Sequence, residues 1–404
     1  MVNSPLEFLA RQYGNVVRYD AEGVPSIFVK FPKMKSKDLH PSLPDHTHPA
    51  FIINGAEQDE ILIGKYMASE IAAEGRLYSL PNMPPRVSLG ADEFLARMRD
   101  FGDGASGKTV ADSGFLLLLA QKYGWNPSGN TNYGAHYADA DGYMLGQEVK
   151  AGDLRGFRGW LYECLIAHTT SAELVPAAAP RYWKRIKPVG GTPSDPAQYN
   201  ADNQYQGYNT LTGTGPLSWY LDGTAGSLCD IVGNAYEQDY GYRIVRGEIQ
   251  IIENNNAASP DADLSANNAA WKAILPNKDN YDYTLVAPGT AGTLHWTWQN
   301  GKITLDTVEP TFDNEKRLTK FKDLTANTDH VPYVPFIMRE LGLFPVSGDR
   351  SQGYVYISFT EAETLLRRGG CYSTGLGAGL GCLGSTSIRP AVSEIYSARP
   401  RFLE

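Results

Sequence analysis

The stretch that decides the fold of this chain is its C-terminal segment, Arg368-Gly-Gly-Cys-Tyr-Ser-Thr-Gly-Leu-Gly-Ala-Gly-Leu-Gly-Cys-Leu-Gly-Ser-Thr-Ser-Ile-Arg-Pro-Ala-Val-Ser-Glu-Ile-Tyr-Ser-Ala-Arg-Pro-Arg-Phe-Leu-Glu404. Glycine recurs through it between small serine, threonine and cysteine side chains, so few groups are large enough to build a core. Strand-like residues stand at 353–359, before the segment, and at 396–402, near its end. We therefore expect ordered structure to hold this segment, the tail, while its small side chains form a displayed surface.

A frame of spaced residues runs through the tail. It consists of Arg368, Gly369, Gly370, Tyr372, Gly375, Ala378, Gly379, Leu380, Leu383, Arg389, Tyr396, Ala398, Arg399 and Pro400. This frame resembles the variable region of phage proteins that a diversity-generating retroelement alters. Upstream, Asn234-Ala-Tyr-Glu237 stands where those proteins usually have Asn-Val-Trp-Glu. The tail departs from the family at Tyr372 (usually Trp), Pro390 (usually Ser) and Ser397 (usually Gly).

The resemblance implies both a fold and a function. Such variable proteins have a C-type lectin fold similar to that of the formylglycine-generating enzyme (sulfatase-modifying factor) family: α+β, with two helices, short mixed or antiparallel strands and long loops. It implies a homotrimeric receptor-binding protein of the phage tail, carried on the virion, that attaches to a host cell-surface protein or glycan. The expected ligand-binding face comprises Cys371, Tyr372, Ser373, Thr374, Leu376, Gly377, Gly381, Cys382, Gly384, Thr386, Ser387, Ala391, Ser393 and Glu394. Its affinity would rest on Tyr372, Leu376, Ile388 and Tyr396, because aromatic and large side chains anchor interfaces.

Two other functions remain open from the sequence. The formylglycine-generating enzymes use a cysteine pair near the same end of their fold, so an oxidase built on Cys371 and Cys382 is one alternative. A reactive thiol needs a lowered pKa, yet the only cations nearby are frame arginines such as Arg368, with no lysine or histidine beside them. We therefore expect a binding protein and no enzyme. The other alternative is a structural virion component whose tail is inert.

Composition narrows the class of partner. The net charge is −9 and the chain is 42% hydrophobic, which suits a globular chain and disfavours nucleic acid, since phosphate binding needs a basic surface. No apolar run is long enough to span a bilayer, and the N-terminus does not have the pattern of a signal peptide. The chain is thus expected to be made in the host cytoplasm and not to insert into a membrane. Its 4 cysteines are too scattered to predict a disulfide framework or a zinc site.

The remaining pattern predicts the organisation of the chain. We expect an N-terminal arm at 1–23 that packs on a neighbour, then one lectin-like domain at 24–404 with an insertion at about 135–206 and the variable region at 368–404. Apolar spacing predicts helices at 91–101 and 112–123, another at 159–168 inside the insertion, and a short one at 334–341. Alternating residues predict hairpins at 242–252 and at 295–305, the latter across Asn300-Gly301.

Three motifs suggest other sites. The run Gly102-Asp-Gly-Ala-Ser-Gly-Lys-Thr109 matches the phosphate-loop pattern, but it follows a predicted helix instead of a strand and the next helix is expected to start late, at Asp112, so we do not expect nucleotide binding. His46 and His48 could share a metal with Asp45 as a third ligand, but no further carboxylate or cysteine at ligand spacing completes the site. The Asn254-Asn-Asn run with Asp261 and Asp263 could hold calcium, although its spacing matches no known loop. We expect no cofactor, with calcium as the one open possibility.

Overall fold

The computed structural model describes residues 4–71, 75–139, 141–194, 198–199, 205–206 and 209–404. The chain is α+β, as expected, and its described residues are 34% strand and 14% helix. Parts of the expected arm at 1–23 and of the expected insertion at 135–206 lie outside the described residues. Among the described residues, no helix has both the length and the apolar character needed to cross a bilayer.

The helices are short and few. The α-helices are α1 (Pro5–Gln12), α2 (Ser36–Leu39), α3 (Ala91–Arg99), α4 (Val110–Lys122) and α5 (Phe336–Glu340), and single 3₁₀ turns lie at Pro49–Phe51, Leu217–Trp219, Asn256–Ala258, Phe321–Asp323 and Gly375–Gly377. Helices α3, α4 and α5 confirm the predictions at 91–101, 112–123 and 334–341, with slightly different ends. Helix α3 has no side-chain cap, because Gly90 occupies its N-cap position.

Helix α4 lies in the centre of the core because most of its residues are apolar on every side. Its N-cap is Thr109, whose hydroxyl accepts a hydrogen bond from the Asp112 amide, while the Asp112 carboxylate accepts one from the Thr109 amide. This reciprocal capping box begins the helix at Val110, earlier than predicted. Phe115 packs edge-on against Phe51, with ring centroids 5.0 Å apart.

One sheet joins the two ends of the chain. Its five strands lie in the order Asn15–Tyr19, Pro25–Pro32, Glu60–Gly64, Pro400–Phe402 and Ala105–Gly107. All neighbouring strands in it are antiparallel. The strand nearest the C-terminus is therefore an inner strand, with hydrogen-bonded partners on both sides.

A second, twelve-stranded sheet carries the tail. Its main path runs through Lys316–Lys320, Tyr354–Ser358, Gly379–Ser387, Thr364–Gly369, Tyr236–Val245, Glu248–Ile252, His295–Gln299, Lys302–Asp306 and Thr325–Ala326, and Trp271–Pro276, Tyr283–Val286 and Tyr396–Ser397 join it at the side. Both predicted hairpins are confirmed by antiparallel pairing. The tail strand Gly379–Ser387 is parallel to one neighbour, Tyr354–Ser358, and antiparallel to the other, Thr364–Gly369.

The remaining strands form small sheets. Leu154–Phe157, Trp160–Cys164 and Trp183–Pro188 make a three-stranded sheet, and the pairs are Glu148–Val149 with His168–Thr169, Gln198–Tyr199 with Tyr205–Gln206, Ile52–Ile53 with Ala56–Glu57, and Ala68–Glu70 with Leu77–Ser79. The helix predicted at 159–168 is wrong. A short apolar run has the same pattern in a buried strand as in a helix, and here Trp160–Cys164 pairs with strands on both sides.

The prediction of a separate N-terminal arm is also corrected. Helix α1 precedes Asn15–Tyr19, which pairs in register with Pro25–Pro32 of the same chain. The two strands are joined by a tight turn in which the Asp20 carboxylate accepts hydrogen bonds from the amides of Glu22 and Val24. This turn, which was not predicted, folds the segment onto the domain.

Candidate ligand-binding surface

The tail begins at an arginine locked into the core. Arg368 Nε donates to the Asp239 carboxylate over 2.9 Å, and its Nη atoms donate to the carbonyls of Leu341 and Gly342. The Lys108 ammonium group contacts the same carboxylate. All three charged side chains are almost fully buried, so each needs its partner. If the start of the tail left this position, a charge would remain in the apolar core without its counterion.

The end of the tail is locked in the same way. Arg399 Nε lies 3.0 Å from each oxygen of the Glu237 carboxylate, and its Nη atoms donate to the carbonyls of Gly64, Lys65 and Cys229. Arg401 Nε donates to Asp112 over 3.1 Å. The α4 capping carboxylate is thus also the counterion of an arginine in the last strand.

Between these anchors, the structure divides the expected binding residues into two groups. Ser373, Thr374, Leu376, Thr386, Ser387, Ala391, Ser393 and Glu394 are exposed or partly exposed. Cys371, Tyr372, Gly377, Gly381, Cys382 and Gly384 are buried, against the expectation that they form a displayed face. The reason for much of this burial is the strand Gly379–Ser387, which has neighbours on both edges.

The three buried glycines among them differ in the space around them. A side chain at Gly377 would meet the Tyr356 hydroxyl, and a Cβ at Gly381 would lie 2.8 Å from Phe321 Cβ. At Gly384, the nearest atoms are 3.7 Å away, on the Arg367 carbonyl and the Tyr236 ring. Of these three positions, Gly384 alone has room for a side chain without movement of its neighbours.

Tyr372 supports the surface from below. Its hydroxyl donates to the Glu394 carboxylate over 3.0 Å, its amide bonds the Asn234 carbonyl, and its ring lies 5.6 Å from that of Tyr133. With 4% of its surface exposed, it cannot be the interface anchor that the sequence suggested. Leu376 and Ile388 are exposed and Tyr396 is partly exposed, so these three remain available as anchors.

Three residues outside the predicted binding face lie beside the tail: Tyr236, Arg367 and Tyr356. Tyr236 lies on a neighbouring strand, where its hydroxyl accepts a hydrogen bond from Thr374 over 3.4 Å and its ring packs 6.5 Å from that of Tyr396. Arg367 and Tyr356 lie on the strands that flank Gly379–Ser387. The match at Asn234-Ala-Tyr-Glu237 was a signal for Tyr236, whereas no sequence pattern distinguished the other two.

The two cysteines of the tail lie inside the fold. Cys371 and Cys382 are free thiols, each almost fully buried, and burial raises the pKa of Cys382 to about 12. The Cys371 sulfur lies 3.2 Å from the Thr374 hydroxyl. A thiol with so high a pKa carries almost no thiolate near neutral pH, and thiolate is the nucleophile and the metal ligand.

The phosphate-loop match is part of the core. Lys108, the residue that would reach a phosphate, is 1% exposed and ion-paired with Asp239 and, over 3.4 Å, with Glu237. The loop does include a strand, Ala105–Gly107, but this strand pairs with Pro400–Phe402 in the five-stranded sheet. The residues that match the phosphate-loop pattern therefore form a strand beside the tail and the beginning of α4.

The histidine and calcium candidates also have structural roles. His46 Nε2 lies 2.6 Å from the buried Glu340 carboxylate, and His48 Nε2 lies 3.0 Å from the Glu340 carbonyl. Asn255 is fully buried and donates to the Asp112 carboxylate and to the Ala50 carbonyl. Within the described residues, no group of three or more histidine, cysteine or acidic side chains could hold a metal ion.

Comparison with known proteins does not assign the chain to a family. No protein-family model matches it, and no curated protein is significantly similar to it.

Proposed function

We propose that this chain is the receptor-binding protein of a phage tail, with a C-type lectin fold and a C-terminal surface diversified by a retroelement. The observation that carries the proposal is the division of the tail into an ion-paired frame and exposed positions between its members. Arg368 and Arg399 of the frame are buried against carboxylates, while Ser373, Leu376 and Glu394 lie exposed between them. Such a division allows surface residues to change without disturbing the core.

The exposed part of the tail has the chemistry of a weak, adaptable interface. Leu376, Ile388 and Val392 are 56%, 49% and 58% exposed, and their neighbours are mostly small polar residues. Small side chains give little energy per contact, so we propose a homotrimer on the virion, in which linked copies of the site raise the overall avidity. The partner in this proposal is a protein or glycan of the host cell surface, and the chain binds it without catalysis.

A binding assay with surface variants tests this proposal. Labelled chain is incubated with intact cells of the host bacterium, and Leu376→Asp and Ile388→Asp are compared with wild type. Each should lower cell binding by roughly tenfold or more if its side chain is an interface anchor. The matched control is Val308→Asp, which changes an apolar residue outside the tail that is 51% exposed. If both tail variants bind as wild type does, the tail is inert and the structural-component alternative is favoured.

The proposed diversification has its own test. DNA flanking the gene is sequenced for a second, imperfect copy of the segment that encodes residues 368–404, beside a reverse-transcriptase reading frame. We expect the differences between the copies to fall in codons for exposed positions and Gly384, and to spare those for Gly377 and Gly381. Differences concentrated in codons for the frame arginines would contradict the division on which the proposal rests.

The formylglycine-generating alternative is not favoured by any observation here. It requires a reactive thiol in the tail, whereas Cys382 is fully buried with a raised pKa. A variant with both Cys371 and Cys382 replaced by serine should bind cells as wild type does. Neither the wild-type chain nor this variant should oxidise a cysteine-containing peptide; both results would agree with the binding proposal. Oxidation of the peptide that is lost in the variant would establish the enzyme.

A further inference from the structure

A small pocket opens on the tail surface between strands of the twelve-stranded sheet. It has a volume of about 140 Å³, with walls that include the rings of Tyr236, Tyr356 and Tyr396, and it is also lined by Arg367 and Gly384. Arg367 and Gly384 are register partners on adjacent strands. Because pockets for whole drug-sized ligands are about 300–1,000 Å³, this one is suited to a single functional group of a larger ligand.

Arg367 differs from the tail arginines described above because no carboxylate accompanies it. It is 3% exposed, and its Nε atom has no hydrogen-bond partner. Among the described residues, no side chain or carbonyl accepts a hydrogen bond from its guanidinium group, which instead stacks 3.8 Å from the centroid of the Tyr396 ring. Burial lowers the pKa of Arg367, and the neighbours that oppose this effect are the tyrosines Tyr396 and Tyr240, not an acid.

A buried guanidinium group without a counterion is costly, and a bound anion removes the cost. The planar fork of arginine matches a carboxylate through two parallel hydrogen bonds. Lys316 adds a second cation at the pocket, 5.4 Å from the centroid of the Tyr356 ring. The pocket is thus complementary to a negatively charged oxygen group.

The rest of the pocket favours a hydroxyl-rich ligand. Thr386 contributes a hydroxyl group to the lining, and so does Tyr396, whose hydroxyl bonds the Ser387 hydroxyl over 2.6 Å. These groups can exchange hydrogen bonds with sugar hydroxyls, while the tyrosine rings offer flat apolar faces to a sugar ring. We infer that the pocket binds the carboxylate of an acidic sugar on the host surface, with Arg367 as its counterion; this inference rests on the proposed function.

Gly384 determines whether the pocket is open. A Cβ there would contact the Tyr236 ring at 3.7 Å without a clash, and because Gly384 lines the pocket, we expect a larger side chain to occupy part of its volume. Since Gly384 is one of the expected variable positions, a single codon would switch the anion site on or off while the frame stays intact.

The inference is tested by titrating the full-length chain with glucuronic acid and N-acetylneuraminic acid, using saturation-transfer NMR and calorimetry. Glucose is the neutral comparison. At least one acidic sugar should bind, and binding should fall by about tenfold or more in Arg367→Gln, because a charge-assisted hydrogen-bond pair is lost. Gly384→Val should reduce it equally by filling the pocket. The matched control Arg246→Gln removes a guanidinium group from an exposed ion pair with Glu309 and should bind as wild type does.

Several results would overturn the inference. These are no binding of either acidic sugar, equal binding of glucose, or unchanged binding in folded Arg367→Gln and Gly384→Val. If N-acetylglutamate amide binds more tightly than both sugars, the ligand is an acidic peptide and not an acidic sugar. If inorganic phosphate binds more tightly than both sugars, the group that the pocket recognises is not a carboxylate. Any of these results, together with cell binding that depends on Leu376 and Ile388, rejects the sugar site but leaves the receptor-binding proposal standing.

Discussion

Two glycines on one strand of the tail should respond in opposite ways to the same substitution. In Gly381→Ala, the new methyl group would lie 2.8 Å from Phe321 Cβ and Cγ and 3.0 Å from the Gln352 carbonyl. Phe321 is fully buried, and its Cβ cannot move without its backbone. In Gly384→Ala, the nearest atoms are 3.7 Å away. The first methyl group has to displace its surroundings, and the second fits.

The magnitude follows from two contributions. Replacing a strand glycine by alanine restricts the unfolded chain and stabilises by about 0.5–1 kcal/mol at either position. Overpacking costs about 1–3 kcal/mol and applies to Gly381→Ala alone. Because the backbone contribution is common to both, the difference in unfolding free energy between the variants should equal the overpacking cost, about 1–3 kcal/mol, with Gly384→Ala slightly more stable than wild type.

Urea unfolding followed by tryptophan fluorescence measures this difference, and equal dependence of the unfolding free energy on urea concentration would show that the comparison is valid. If Gly381→Ala is as stable as Gly384→Ala, Phe321 moves aside at no cost. In that case the packing around Gly381 does not prevent variation at this position. If Gly384→Ala is the less stable of the two, the strand faces the other way and the pocket does not exist.

Three further outcomes are expected. Arg399→Met should lower the unfolding free energy by about 3–5 kcal/mol, because the buried Glu237 carboxylate loses its closest counterion and keeps only Lys108, 3.4 Å away; thermal unfolding would show it, and Glu237→Gln should be similarly harmful. Burial lowers the pKa of His48 to about 4, so the unfolded state binds a proton at a higher pH than the folded state does, and stability should fall as pH drops from about 6.5 towards 4. A His48→Gln variant should show a weaker dependence of its unfolding free energy on pH over that range, and an unchanged dependence would contradict the role of His48. Cys382, with a pKa raised to about 12, should not react with iodoacetamide at pH 8 until urea unfolds the chain, and rapid labelling of the folded protein would contradict its burial.

The parts of the fold that could be predicted are those whose signals are local. The apolar run of α4 and the Asn300-Gly301 turn each decide their structure within a few residues, and both predictions are confirmed. Trp160–Cys164 was assigned incorrectly because its short apolar run fits a helix or a strand, and only pairing with sequence-distant partners decides between them. Tertiary contacts outweigh propensity in such segments.

The candidate site was predictable only in outline. The spacing of Arg368 and Arg399 indicated a frame, but whether a residue between them is exposed depends on which strand lies beside it. The sequence placed Arg368 in the frame but assigned no role to Arg367; in the structure, Arg368 binds the Asp239 carboxylate and Arg367 stacks on the Tyr396 ring. Alternation along a strand explains this contrast, because consecutive side chains point to opposite faces.

The inner position of Pro400–Phe402 has a consequence for how the chain is made. This strand lies between Glu60–Gly64 and Ala105–Gly107, and the arginines at 399 and 401 neutralise carboxylates from earlier segments. A nascent chain cannot close that sheet until these codons have been translated. If the tail is diversified as proposed, a stop codon or frameshift introduced there yields a chain that stays unfolded and is degraded. Folding would then remove from the proposed library those variants that lack the strand Pro400–Phe402.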